Sequence, residues 1–322
     1  VLMNPPFGEP VPDTKPYLKA AYPWIPTRDY NLLAAFVGRG LELAEPGVGT
    51  CGAITSRAGM FLKTFEKWRT QVLLGHQLVA LADLGYGVME QALVEAAAYV
   101  LRQAPPDGRA TFLRLLKDTD RPAALPAVCA AARNRIDDGR VFIVDVADFD
   151  AIPGSPLAYW MSPAIRRLFL DYSSLEDSVA DVRVGLQTGD DFRFVRAFWE
   201  VDPHRVARSR EDTRHGKRWV PFAKGGEYSP YWADIHLLVD WENDGERIRA
   251  YEGSRPQNID YFFRPGLTWP RRTNSGFGIR ALPAGSIFAD KGPGVIPSDL
   301  PQLLLAWLSS RVAQALLDAM VA

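Results

Sequence analysis

The feature that most constrains this chain is a hydrophobic pattern that switches between period two and period about 3.6 along its first third. Residues 1–3 are an apolar triplet closing on a turn, and read as the end of a buried strand. Helical spacing covers 30–43, with Leu32, Leu33, Phe36, Val37, Leu41 and Leu43 on the apolar side, and Pro46-Gly47 stops it. A short apolar strand follows at 51–54. The pattern then predicts a helix over 64–74 and strands over 78–84, 95–101 and 111–116. Strands separated by helices predict an α/β layer with a mostly parallel or mixed sheet.

Beyond residue 120 the texture changes. An alanine-rich stretch over 124–135 favours helix, 140–149 is apolar and strand-like, and 163–170 reads as a helix opened by Pro163. Residues 121–181 therefore read as a connecting region. From 182 onward glycine, proline, tryptophan and tyrosine become frequent and periodicity weakens, which predicts a loop-rich α+β domain over 182–322. A strong helix over 300–320 closes it. The tryptophans of this region (Trp199, Trp219, Trp232, Trp241, Trp269 and Trp307) read mostly as core.

Composition narrows the function classes. Of the 322 residues, 47% are hydrophobic and 23% charged, the profile of a globular protein. No apolar run approaches the roughly 20 residues that span a bilayer, and no signal peptide is visible, so the expected location is cytoplasmic, with no membrane partner. Cys51 and Cys129 read as reduced thiols, and His76, His204, His215 and His236 show no zinc spacing. Net charge is −1. Between His204 and Lys224, however, Arg205, Arg208, Arg210, Arg214, Lys217, Arg218 and Lys224 face only Glu211 and Asp212, a local basic surface suited to phosphates.

Asn4-Pro5-Pro6-Phe7 carries the clearest chemistry. An exocyclic amine is methylated only when its lone pair points at the sulfonium methyl of S-adenosylmethionine. The Asn4 side-chain oxygen and the Pro5 carbonyl each accept one amine N–H, which favours a tetrahedral nitrogen and aims it. The prolines fix φ, so the strip is rigid before substrate arrives. Phe7 offers a ring face for a flipped base, and Gly8 lets the chain pass close to it. The same four residues also form ordinary turns.

This strip resembles the amine-binding motif of amino methyltransferases. More of the chain resembles the large adenine-specific DNA methyltransferases of BREX phage-defence systems and the related type IIG restriction–methylation enzymes. The matching islands are 54–56, 61–69, 87–102, Gly185-Leu186-Gln187-Thr188-Gly189-Asp190 with Phe194-Val195-Arg196, Lys224-Gly225-Gly226-Glu227-Tyr228, 239–245, 275–277 and 288–293. The resemblance implies the C-terminal half of a Rossmann-like S-adenosylmethionine-dependent methyltransferase sheet (1–120), followed by an α+β target recognition domain. It implies Asn4, Pro5, Pro6 and Phe7 as the catalytic strip, S-adenosylmethionine as cofactor, double-stranded DNA as substrate, and other phage-defence proteins as partners. Gln187, Thr188, Arg193, Arg196, Lys224, Arg271, Arg272 and Asn274 are the expected DNA contacts, since glutamine pairs with adenine edges and arginine with guanine edges. For any single arginine a surface ion pair is the competing role.

In such enzymes the glycine-rich cofactor loop precedes the Asn-Pro-Pro-Phe motif, whereas only three residues precede it here. Phe36-Val37-Gly38-Arg39-Gly40 resembles that loop superficially but lies in a helical pattern rather than after a strand. The chain thus reads as a truncated piece that transfers no methyl group alone. Asp83, Glu90 and Glu95 read as structural. Three other functions stay open: methylation of a different planar amine, such as a protein glutamine, a non-enzymatic DNA-recognition module similar to a restriction specificity subunit, and a degenerate defence protein that binds DNA without modifying it.

Overall fold

Ladder polarity decides where the first part of this chain gathers its chemistry. The computed structural model describes residues 1–28, 31–89, 94–273 and 275–321. The chain divides into two units, Val1–Tyr172 with Leu317–Ala322 and Ser173–Leu316. In the first, β1 (Leu2–Met3), β2 (Thr50–Ser56), β3 (Gln77–Gly85), β4 (Ala96–Arg102), β5 (Arg109–Arg114) and β6 (Val141–Asp145) form one sheet in the order β1-β2-β4-β3-β5-β6. β1 lies parallel to β2, with Leu2 opposite Gly52, and β3 parallel to β5, while β4 and β6 run against their neighbours. Consequently β1, β2, β3 and β5 all end on the same rim of the sheet. The fold is α/β with a mixed sheet, as the alternation of periods predicted.

Local sequence explains these elements. β2 alternates, burying Cys51, Ala53 and Thr55. Helix α1 (Leu32–Glu42) starts where Asn31 Oδ1 accepts the Leu33 N–H at 3.1 Å. A Cβ on Gly40 would stand 2.2 Å from Met3 Cε, and one on Gly38 2.4 Å from the Trp24 ring. Those two glycines let α1 settle directly on β1 and Trp24. Helices α2 (Arg121–Asn134) and α3 (Pro163–Asp171) are capped by Asp120, which accepts the Ala123 N–H at 3.1 Å, and by Ser162, which accepts that of Ile165 at 3.4 Å. The core holds Phe65, Trp68, Phe112, Phe149 and Tyr159, all at most 2% exposed. Each such aromatic contributes about 2–3 kcal/mol by leaving water. Phe112 stacks on Tyr159 with centroids 4.9 Å apart.

Two predicted elements differ. The helix expected over 64–74 is instead a 3₁₀ turn (Lys63–Phe65), one α turn (Glu66–Trp68) and a wide π turn (Arg69–Leu73). The wide turn carries Arg69, fully buried, whose guanidinium donates to the carbonyls of Gly59 (2.9 Å), Leu62 (3.1 Å), Ser155 (2.8 Å) and Gly154. The strand expected over 140–149 stops at Asp145, because its carboxylate accepts the Ala147 N–H at 3.1 Å and starts the 3₁₀ turn Val146–Ala151.

The second unit is built from shorter strands. β7 (Ala180–Arg183), β8 (Val195–Ala197), β9 (Trp219–Ala223), β10 (Leu237–Asp240), β11 (Gly266–Thr268), β12 (Arg280–Leu282), β13 (Ile287–Phe288) and β14 (Gly294–Pro297) make two four-stranded sheets, β13-β9-β10-β8 and β12-β11-β14-β7. Helix α4 (Glu242–Arg249) follows β10, and α5 (Pro301–Leu308) and α6 (Arg311–Val321) close the chain. Leu186 donates to the Phe288 carbonyl at 2.9 Å, and a Cβ on Gly185 would stand 1.9 Å from that same oxygen. Two of the sequence islands, 185–190 and 288–293, are therefore locked backbone to backbone, and only glycine permits it. The single helix expected over 300–320 is two helices bent by 67°, because Ser309 closes the first and Ser310 Oγ accepts the Ala313 N–H at 3.2 Å to open the second. Among the described residues no single helix is long and apolar enough to cross a membrane.

Candidate functional site

Asn4 leaves β1 at the rim where β2, β3 and β5 also end. Asn4 and Pro6 are exposed, Phe7 is half-buried and Pro5 is buried. Neither the Asn4 side chain nor the Pro5 carbonyl has a hydrogen-bond partner among the described residues, so two acceptors on adjacent residues stay available. The strip is held at two points. Pro5 is buried within it, and behind it the Gly8 carbonyl accepts the Leu32 N–H at 3.1 Å, tying the turn to the start of α1.

Along the same rim lies a cluster that sequence reasoning left unassembled. Arg57 follows β2, and its Nε and Nη2 donate to the two Asp83 carboxylate oxygens at 2.9 and 3.1 Å. Asp83, near the end of β3, has no exposure at all and also accepts the Tyr159 hydroxyl at 2.8 Å. Arg57 Nη1 reaches Glu95, which precedes β4, at 3.1 Å, and the guanidinium lies 4.7 Å from the Phe61 ring centroid. Burial works to lower the Arg57 pKa, but Asp83 and then Glu95 outweigh it and leave it raised. Tyr159 is raised well above the ordinary tyrosine range, by burial first and by the Asp83 charge second. The cluster ties the ends of β2, β3 and β4 together. A lone aspartate in the apolar run Leu78–Gly85 was its available signal, because such a residue is stable only with a buried partner. Glu90 lies outside the described residues.

Phe36–Gly40 makes no cofactor loop. Its glycines sit inside α1, occupied by Trp24 and Met3 as described above, and Gly38 and Gly40 are buried. No backbone N–H of this stretch is presented at the end of a strand, so these residues do not fit the glycine-rich S-adenosylmethionine site.

In the second unit the expected contact residues divide by what their side chains already do. Lys224 pairs with Asp191, which also accepts the Thr188 hydroxyl. Burial works against the Asp191 carboxylate, yet the hydrogen bonds of Lys224 and Thr188 hold it below the usual range. Arg196 Nη1 donates to the carbonyls of Phe192 (2.5 Å) and Val195 (2.7 Å). Arg193 is exposed and lies over the rings of Phe194 and Tyr251 at 5.2 and 5.3 Å. Gln187, Arg271 and Arg272 are exposed, with no side-chain hydrogen bond or ion pair among the described residues. Asn274 lies outside them.

Two expectations are corrected here. The basic stretch 204–224 is largely neutralised: Arg210 pairs with Asp244 at 2.6 Å, Lys217 with Asp212 at 3.3 Å and Arg218 with Asp240 at 2.7 Å. Asp212 lies within the stretch, but Asp244 and Asp240 lie on other segments, and a count confined to 204–224 misses them. Of the tryptophans expected in the core, Trp241 and Trp219 are buried and Trp269 is half-buried, but Trp199 is 71%, Trp232 54% and Trp307 47% exposed. Trp199 pairs edge-on with exposed Phe198 at 5.1 Å. Residue type alone does not separate core from surface aromatics in a region without periodicity.

This geometry can be set beside known proteins. No protein-family model matches the chain. It is 27% identical over 98% of its length to the adenine-specific methyltransferase PglX of Lacticaseibacillus casei (strain Zhang), and 26% identical over 97% to the adenine-specific methyltransferase BrxX of Escherichia coli O9:H4 (strain HS). Its homologues are adenine-specific methyltransferases. The chain spans about a quarter of the length of each, 27% and 25%. Among solved structures it matches the type IIL restriction-modification enzyme MmeI, determined in complex with DNA, with a TM-score of 0.58 at 14% identity over 96% of this chain and 42% of that one. That likeness extends across both units and supports the α/β assignment.

Proposed function

We propose that this chain is part of a site-specific adenine-N6 DNA methyltransferase of restriction-modification or phage-defence type. In this reading Val1–Tyr172 belongs to the catalytic domain and 173–316 recognises the target. The observation that carries the proposal is the pair of unengaged acceptors on Asn4 and Pro5 at the rim where four strands end. In double-stranded DNA the target adenine is extruded into this strip. Its two amine hydrogens go to Asn4 Oδ1 and the Pro5 carbonyl, which turns the nitrogen lone pair outward, and Phe7 supports the purine face. S-adenosylmethionine supplies the methyl group, and its glycine-rich site is not made by Phe36–Gly40, the one stretch of the described residues that resembles it. The 322 residues alone therefore transfer no methyl group. Gln187, Arg193, Arg271 and Arg272 are the side chains free to read or grip DNA, whereas Thr188, Lys224 and Arg196 first hold their own loops.

The deciding experiment uses the natural parent protein in its host. Asn4→Ala is expected to abolish adenine methylation at its genomic sites, by about a hundredfold or more in rate, while the protein still accumulates. Asn4→Asp retains an acceptor and is expected to retain part of the activity. Unchanged methylation in Asn4→Ala would sink the enzymatic reading and leave the recognition module in its place.

A further inference from the structure

The second unit contains a cleft of about 240 Å³, of whose lining the assignments above use only Lys224. Its walls come from the end of β9 and the loop after it, the segment leading into β10, and β12, with Phe222, Gly225, Gly226, His236, Thr268 and Arg280 among the lining residues. Arg280 is the unusual member. It is 94% buried by its 6% exposure, and no carboxylate lies within ion-pair distance among the described residues. Its Nη1 donates to the Glu227 carbonyl at 3.1 Å and its Nη2 to the Gly225 carbonyl at 2.5 Å. A guanidinium has five N–H groups, so these two bonds leave donors over. Burial lowers its pKa with nothing opposing.

The other buried arginines show how this chain ordinarily satisfies such a group. Arg57 pairs with Asp83 and Glu95, and the Arg166 charge is matched by Asp148 although its Nε and Nη1 have no hydrogen-bond partner among the described residues. Arg69 has no ion pair among the described residues but spends its donors on four different carbonyls, and it is not among the residues that line this cleft. Arg280 has neither an acid nor a full set of carbonyls, and it faces open space. Beside it, the backbone N–H groups of Gly225, Gly226 and Glu227 have no hydrogen-bond partner among the described residues. Lys224 adds a second cation to the same wall, although Asp191 engages it. Asp234 sits on the exposed lip, where its carboxylate accepts the Trp232 indole N–H at 3.1 Å.

A buried cation without a counter-charge is costly, and an anion that arrives with several acceptor oxygens removes that cost. We propose that this cleft is a phosphoryl-oxyanion site, in which Arg280 supplies the charge and the amides of the lining residues Gly225 and Gly226 supply further donors. A tetrahedral oxyanion presents oxygens in enough directions to meet a guanidinium and neighbouring amides together. The source of the phosphoryl group is either a DNA backbone phosphate, which rests on the function proposed above, or free phosphate, which does not.

Two measurements on the 322-residue chain test this. In the first, inorganic phosphate is titrated against chloride at equal ionic strength, and amide hydrogen exchange is followed in the wild-type chain. Slower exchange confined to 224–228 is expected. In the second, duplex DNA binding is measured across salt for the wild type and Arg280→Gln. An affinity loss of about tenfold across unrelated sequences, with the salt slope reduced by about one, assigns the phosphate to DNA. Protection by phosphate with DNA binding unchanged assigns the site to free phosphate and leaves the DNA reading to be judged on Asn4. No protection by phosphate together with unchanged DNA binding overturns the proposal. The exchange arm needs no variant, so it decides even where Arg280→Gln fails to fold.

Discussion

Asp83→Asn should destabilise the first unit by about 3 kcal/mol, and the geometry shows why an isosteric change costs so much. Asp83 Oδ1 accepts one donor, Arg57 Nε, and Oδ2 accepts two, Arg57 Nη2 and the Tyr159 hydroxyl. Asparagine has one acceptor oxygen and one amide nitrogen. If its oxygen keeps the two-donor position, its NH₂ faces Arg57 Nε–H. In the other orientation the NH₂ faces both remaining donors. Either way at least one charge-assisted bond, worth about 1.5–3 kcal/mol, is replaced by a donor–donor clash. The Arg57 charge also loses its fully buried partner and keeps only Glu95, whose side chain is 34% exposed. Breaking a buried pair from one side costs about 3–5 kcal/mol, so about 3 is the lower end. Hydrogen exchange of a peptide covering β3, followed through a urea titration, reads this unit alone. With a urea slope of about 2 kcal/mol per molar, the midpoint should fall by about 1.5 M. Tyr159→Phe should cost less, about 1.5 kcal/mol, since it removes one donor and leaves the ion pair intact. In the double variant the two losses should add to less than their sum. A midpoint shift under about 0.3 M for Asp83→Asn would refute the claim that this carboxylate organises the rim.

Gly185→Ala places a methyl group 1.9 Å from the Phe288 carbonyl oxygen, a backbone atom that cannot swing aside, so the second unit should lose about 3 kcal/mol or more, read as its thermal unfolding temperature. Trp199→Ala, at a side chain 71% exposed, should change stability by less than about 0.5 kcal/mol in the same measurement. Burial raises the pKa of Tyr99 and Tyr159, the latter with help from Asp83. A raised folded pKa gives stability that is complete below the ordinary tyrosine value near 10 and declines as pH climbs above it. Phenolate absorbance should therefore show two of the eleven tyrosines ionising only as the chain unfolds in alkali.

How much of this was written in the sequence depends on the range of the interactions involved. The first unit was legible because its strands and the α1 helix carry strong periodicity, and boundaries over 32–42 and 77–114 lie within a few residues of the pattern. Periodicity could not show that Arg69 would open a π turn, since the carbonyls it serves come from residues 59, 62, 154 and 155. Nor could it show the break at Ser309-Ser310, because both flanking segments are apolar and helical on either side of it. Asn4 to Phe7 stood out by chemistry alone. The Arg57, Asp83 and Tyr159 cluster did not, because its members are 26 and 76 residues apart. In the second unit, residue type suggested DNA contacts, but only the fold separates Arg271, with nothing to hold, from Lys224, already engaged by Asp191.

The backbone lock between Gly185 and Phe288 has a consequence for how such a unit can change over time. Strands of two to five residues give little ladder to rely on, so cohesion comes from a few interior seams instead. Substitutions scattered over the outward loops leave those seams alone and should be tolerated freely. A scaffold of this kind lets its exposed face be rewritten while the frame beneath stays put.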